Sequence, residues 1–329
     1  MDHPQQKLPG VSVPARFIPT PQSVSPEAQA FLSRGLDIKP PQIDHSDKQG
    51  WRDYIAQVER YILVMGAERA KAHPATISEH KLSAVTLYEV TPDTLSVKYQ
   101  DKVIYHIHGG AFITGGGRSA AYTAQPVASV TGMRSFSIDY RMPPDHPFPT
   151  GLEDALEGYQ FLLKRYAPAN IVIEGSSAGA NIAAAVILKA RDAGLPMPGA
   201  CVLHTAGVDM THSGDTFATN AIIDVVLRSP QHETLRLYSN DHDPRDPYLS
   251  PVFADFSKGF PPSLFISGTR DLLLSSTVMM HRAMRRAGLE AELHVFEAMP
   301  HGGFGHATPE DNERLIETAH FIHRHICRS

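Results

Sequence analysis

With 329 residues, 42 % of them hydrophobic and 20 % charged, the chain has the make-up of a globular protein long enough to bury a sizeable core. A formal net charge of -5 leaves no concentrated basic surface of the kind nucleic acid or anionic lipid requires, so a neutral, largely apolar small molecule suits it better. Cys201 and Cys327 imply no disulfide framework, the opening MDHPQQKLPG lacks a signal peptide's apolar stretch, and no run approaches a membrane span; a cytoplasmic protein is expected.

Residues 1–24 carry Pro4, Pro9, Pro14, Pro19 and Pro21, which deny the backbone regular pairing and predict an extended or disordered surface arm. Ser25-Pro26-Glu27 then supplies a cap, a first-turn proline and an acid at the positive helix end, and Gly35 supplies a stop. Beyond Pro40-Pro41, the residues Trp51, Tyr54, Ile55, Val58, Tyr61, Ile62 and Met65 recur at helical spacing and form one wide apolar face. These helices read as a lid or added layer, so 1–79 is taken as an arm with cap helices and 80–329 as the main domain.

From about residue 80 strands alternate with helices, the pattern of an α/β fold whose mostly parallel sheet has helices on both faces. The strands expected are 84–90, 102–107, 134–139, 171–175, 200–205, 262–267 and 291–297. The clearest helix is 151–166, with Leu152, Ala155, Leu156, Tyr159, Leu162, Leu163 and Tyr166 as its buried stripe and Thr150 with Glu153 as a capping box. The stretch between Thr205 and Pro262 is too long for a simple crossover. A helix near 220–227 and another beginning at Ser229-Pro230 predict an inserted cap segment over 208–250.

The stretch IVIEGSSAGANIAAAVIL, residues 171–188, organises the rest. Gly175-Ser176-Ser177-Ala178-Gly179 fits G-x-S-x-G, in which a serine stands on a sharp strand-to-helix turn with a helix N-terminus behind it. The pattern alone is weak, but an apolar strand precedes it and a small-residue helix follows. A serine hydroxyl needs a base to take its proton and a third group to orient that base. On sheets with such an elbow the order is serine, acid, histidine, the last two on loops at strand ends. Asp271 follows the strand Leu264-Phe265-Ile266, and His301 follows Leu293-His294-Val295-Phe296, which makes them the expected orienting acid and base. His306 is the fallback base and Glu297 the next acid. His108-Gly109-Gly110-Ala111-Phe112 also follows a strand and offers free backbone N–H groups that, with the N–H of Ala178, suit an oxyanion. Which of Gly109, Gly110 and Ala111 donate is left open, with Gly110 favoured; His108 reads as a residue that pins this loop.

HGGAF, YRMPPDHPFPTGLEDAL, EGSSAGAN, the D-L-L-L stretch at Asp271 and MPHGGF together resemble the bacterial hormone-sensitive-lipase-like (family IV) esterases of the α/β-hydrolase superfamily, in order from about residue 80 to the C-terminus. The resemblance implies an α/β-hydrolase fold with a helical cap, a Ser177, Asp271, His301 triad and hydrolysis of small-molecule esters with short to medium acyl groups. It implies no cofactor and leaves homodimer formation open. Ser176 stands where the family commonly has aspartate or threonine, Ala111 where glycine is frequent, and Ser275 where a second acid often follows. Alternatives on the same scaffold are a lactone or amide hydrolase, or a non-catalytic small-molecule receptor.

Other clusters have blander readings. His320, His323, His325 and Cys327 spread round a helix axis and read as a solvated helix end, not a metal site. Asp241, His242, Asp243 and Asp246 lack the glycine and terminal glutamate of a calcium loop. Phe112, Tyr122 and Tyr140 either line an acyl pocket or pack beneath it.

Overall fold

The computed structural model describes residues 10–15, 17–35, 41–228, 232–305 and 308–326. Pro4, Pro9, Pro40, Ser229-Pro230, His306 and Cys327, singled out above, lie outside the described residues. In chain order the elements are α1 (Pro26–Arg34), α2 (Lys48–Ala70), β1 (Ala75–Lys81), β2 (Thr86–Pro92), β3 (Val103–Ile107), α3 (Arg118–Thr131), β4 (Arg134–Asp139), α4 (Thr150–Leu163) and β5 (Ile171–Ser176). There follow α5 (Ala178–Asp192), β6 (Ala200–His204), α6 (Thr216–Thr219), α7 (His232–Ser239), β7 (Ser263–Gly268), α8 (Leu274–Arg286), β8 (Ala291–Phe296) and α9 (Pro309–Ile326).

The described residues build one eight-stranded sheet in the order β1-β2-β4-β3-β5-β6-β7-β8, antiparallel at β1–β2 and β2–β4 and parallel elsewhere. Alternation along the central strands feeds two cores. Tyr105, Ile173, Leu203 and Phe265 face α4, α5 and α8, while Ile104, Val172, Val202 and Leu264 face α1, α3 and α9. This is the α/β-hydrolase fold expected from the sequence. No helix among the described residues is long and apolar enough to cross a membrane.

Several local expectations need correction. No strand is expected before residue 84, yet β1 pairs with β2 from Ala75↔Pro92 to Lys81↔Thr86, across the 79/80 division drawn above. Its sequence ATISEHK is nearly polar because it is an edge strand, with only Ala75 and Ile77 against a small core cluster. The Thr150–Glu153 capping box does not form. Thr150 is already inside α4, Pro149 takes the cap position without a side-chain bond, and Glu153 reaches Lys189 instead. The helix expected over 220–227 is absent. The four-residue α6 stops at Asn220, and the polar side chains beyond it bond to other loops rather than supporting a helix.

The first helix is as expected: Ser25 caps Ala28 N–H and Gly35, at φ 70°, ends it. Ser25 also bonds Glu310 of α9, so α1 is fastened to the main body. On α2 only Trp51 of the expected apolar face is fully buried; Tyr61 is exposed, and Tyr54, Val58 and Ile62 line an open cleft.

Candidate active site

The elbow is forced by sterics on both sides of Ser177. Its backbone sits at φ 59°, ψ -121°, a region that non-glycine residues rarely occupy. A methyl group on Gly179 would lie 2.0 Å from the carbonyl oxygen of Ile107, and one on Gly175 would lie 2.4 Å from that of Gly179. Both glycines are therefore required for β5 to turn straight into α5 beside β3. Ser177 N–H donates to His204 O at 2.9 Å, which ties the strained residue to the neighbouring strand end.

The loops after β7 and β8 bring the expected acid and base to this serine. His301 Nε2 lies 2.8 Å from Ser177 Oγ, and His301 Nδ1 lies 3.0 Å from Asp271 Oδ1. Asp271 is wholly buried and is itself held, accepting from Ser267 Oγ at 2.6 Å and from Leu273 N–H at 2.9 Å. Burial pushes the His301 imidazole down, but the hydrogen bond and charge of Asp271, with the charge of Asp224, outweigh it and leave the ring above the ordinary histidine value.

Opposite the serine, the His108–Phe112 turn is locked by bonds from Ile113 N–H and Thr114 N–H to Gly110 O, both 3.0 Å. Gly110 sits at φ 116°, where a methyl group would strike Thr114 O at 2.0 Å. Ala111 and Phe112 also have positive φ, 54° and 66°, without the freedom of glycine. The N–H groups of Gly109, Gly110, Ala111 and Ala178 donate to no protein acceptor among the described residues. His108 Nδ1–H donates to Gly109 O at 2.8 Å and its ring stacks on Tyr140, which matches the pinning role expected of it. The next glycines are gripped from α2: Glu59 Oε1 accepts from Gly115 N–H at 2.6 Å and Gly116 N–H at 3.3 Å.

Two cavities meet at Ser177. The larger, about 410 Å³, runs from Tyr54, Val58 and Ile62 of α2 down to Gly109, Gly110, Ser177 and His301. The smaller, about 50 Å³, reaches Ser177 and Ala178 from the other side and is walled by Ala111, Phe112, Met210, Phe217, Leu235 and Leu273. Of the three aromatics considered from sequence, Phe112 lines the small cavity; Tyr140 lies beneath His108, and Tyr122 faces α2 at Gly66.

Sequence reasoning missed a buried polar layer. Glu174, on β5 three residues before the serine, bonds His106 Nδ1 closely and lies 3.3 Å from His204 Nε2. Burial alone would raise its carboxyl, but His106 beside it holds it below the ordinary range. Desolvation pushes His204 and His108 down to about 4, so both rings are neutral at physiological pH. A lone acid on a strand carries no local signature, and these partners converge only through the β3–β5–β6 register.

The remaining candidates take structural jobs. Glu297 is exposed and lies 3.4 Å from Thr269 Oγ1. His323 donates to Thr131 O and stacks on Tyr99, while His320 is exposed. Asp243 and Asp246 accept from nearby backbone N–H groups of their own turn. Ser275 Oγ accepts from Thr216 N–H, fastening α6 to α8. Three carboxylate–histidine groups among the described residues have potential ligand atoms within 4.8 Å: Asp44-His45-Glu233, Glu290-Glu292-His325 and Asp224-Asp271-His301. In the last, protein hydrogen bonds already engage all three side chains.

The chain is similar to known proteins of this fold. Residues 104–305 match a family described as alpha/beta hydrolase fold. An acetyl-hydrolase of Streptomyces hygroscopicus is 28 % identical over 71 % of this chain and 80 % of its own length. An esterase of Acinetobacter venetianus is 29 % identical over 67 % of this chain and 74 % of its own. Among solved structures, esterase E25 superposes with a TM-score of 0.89 at 33 % identity, covering 96 % of this chain and 99 % of that one. An esterase from the bacterial hormone-sensitive lipase family gives 0.77 at 25 % identity, covering 92 % and 99 %.

Proposed function

This chain belongs to the hormone-sensitive-lipase-like (family IV) esterases of the alpha/beta hydrolase superfamily, and from that premise we propose that Ser177, Asp271 and His301 are its catalytic triad. It is a serine carboxylesterase acting on small-molecule esters. The observation that carries the site assignment is the unbroken chain of bonds from Asp271 through His301 to Ser177, at 3.0 and 2.8 Å.

Ser177 Oγ bonds to the acyl carbon as its proton passes to His301 Nε2, and the carbonyl electron pair moves onto oxygen. The N–H groups of Gly109, Gly110 and Ala178 receive that oxyanion; losing one such donor typically costs about 2.7–4 kcal/mol of transition-state stabilisation. Collapse expels the alcohol, which takes the proton from His301. Water then loses a proton to His301 as its oxygen bonds to the acyl carbon, and the proton returns to Ser177 as the acid leaves.

We take the two cavities to hold the two halves of the ester. The leaving alcohol must face His301, which lines the large cavity and not the small one, so the acyl chain enters the small one. A cavity of ~150 Å³ holds benzene, with six carbons, so about 50 Å³ suits roughly two carbons beyond the carbonyl. The cap consists of α2, whose Tyr54 and Val58 wall the alcohol side, and of the 208–250 segment, whose Phe217 and Leu235 wall the acyl side. An acyl series on a fixed p-nitrophenol, run beside Ser177→Ala, tests the reading. Acetyl and propionyl esters turn over fastest, Phe217→Ala shifts the optimum to longer chains, and Ser177→Ala is inactive. A wild-type optimum at octanoyl or beyond would overturn the acyl assignment.

A further inference from the structure

We infer that Asp224 is a positioning residue for this esterase, a single buried carboxylate that clamps the acid loop to the base loop so that His301 meets Ser177. The inference rests on the triad reading. Asp224 is fully buried in the 208–250 insertion, just beyond α6. Its Oδ2 accepts from Leu272 N–H at 2.8 Å, the residue after Asp271, and lies 3.2 Å from the N–H of His301; its Oδ1 lies 3.3 Å from that N–H. The same Oδ1 accepts from Val226 N–H at 2.9 Å and Leu227 N–H at 3.1 Å, closing its own turn. Main-chain donors from three separate stretches of chain therefore converge on one side chain. Among the described residues no lysine or arginine pairs with it; burial raises its carboxyl, against which the charge of His301 and then the backbone N–H groups of Leu272 and Leu227 act.

Asn220, earlier in the same segment, adds a second grip, donating from Nδ2 to Asp271 O at 2.9 Å and to Thr269 O at 3.2 Å. The insertion thus holds the acid loop at both its start and its end. The position of the His301 backbone fixes the reach of its ring, and a displacement near 1 Å in such a site can cost about 10²-fold in rate. Asp224 also has an oxygen within 4.8 Å of ligand atoms of Asp271 and His301, so the imidazole faces two carboxylates. Asp271 and Asp224 are the charged groups that raise His301, and His301 and Asp271 are those that act on Asp224.

Asp224→Asn keeps the size of the side chain, removes its charge and turns an NH2 group toward N–H donors. With p-nitrophenyl acetate, kcat should fall about 10- to 100-fold while KM stays within about twofold. Loss of a negative charge makes the imidazolium less favourable, so the acid limb of kcat/KM should move to lower pH by on the order of one pH unit. A folded Asp224→Asn with wild-type kcat and an unmoved limb overturns the inference. If that variant does not fold, Asp224→Glu keeps the charge but displaces it by a methylene; it should lose kcat with the acid limb unmoved, and unchanged kcat overturns the clamp. Ser177→Ala separates the two levels. Turnover by Ser177→Ala removes the triad itself, whereas inactive Ser177→Ala beside normal Asp224→Asn removes only the clamp.

Discussion

At the residue scale the chemistry was legible wherever a side chain sits at a strand end that the chain order marks. Ser177, Asp271 and His301 stand beyond β5, β7 and β8, and parallel strands deliver such loops to one sheet edge. Asp224 and Glu174 escaped notice because their partners lie far along the chain and neither belongs to a repeated pattern. The proposed roles predict that Asp271→Asn lowers kcat by about 10⁴-fold, because His301 loses the acceptor that fixes its tautomer. A loss of less than tenfold, measured on folded protein, would argue against Asp271 as the orienting group. The raised His301 predicts an acid limb above the ordinary ~6.5, since the base works only when neutral. A limb at or below that value in kcat/KM would contradict the two-carboxylate environment.

At the scale of elements, the central strands and amphipathic helices followed from apolar periodicity, whereas polar or short elements did not. Edge strand β1 has little apolar content to announce it, and residues 220–227 look helical by apolar spacing but serve Asp271 and His301 through Asn220 and Asp224. The elbow glycines give a direct test of packing. Gly179→Ala would set a methyl group 2.0 Å from Ile107 O, whereas Gly194→Ala, at φ 70° with nothing within 4 Å, meets only backbone strain. Urea unfolding should show Gly179→Ala losing roughly 3 kcal/mol or more and Gly194→Ala about 1 kcal/mol. Equal losses would contradict the packing account. The α2 contact predicts that Glu59→Gln, by loosening Gly115 and Gly116, lowers kcat about tenfold while leaving stability nearly unchanged. Unchanged kcat on three different esters would dissociate α2 from the oxyanion loop.

At the scale of the whole molecule, the sheet carries a buried polar layer directly under its active edge. His108 and His204 are held near 4, so the unfolded chain binds protons that the folded one refuses between about 6.5 and 4. Stability must therefore fall as pH drops through that window, by on the order of 3 kcal/mol for each ring. Unfolding midpoints that stay level from pH 7 to 4.5 in His108→Gln/His204→Gln, but decline in the wild type, would bear this out; identical declines would not. Catalysis and stability both weaken on acidification, yet through different histidines, so activity should fall first. The most direct test of the central claim is mass spectrometry of enzyme quenched during turnover of p-nitrophenyl acetate. The account predicts one acetyl group on the peptide carrying Ser177, absent from Ser177→Ala, which turns over no ester. An acetyl group on another residue, or turnover by Ser177→Ala at the wild-type rate, would contradict it.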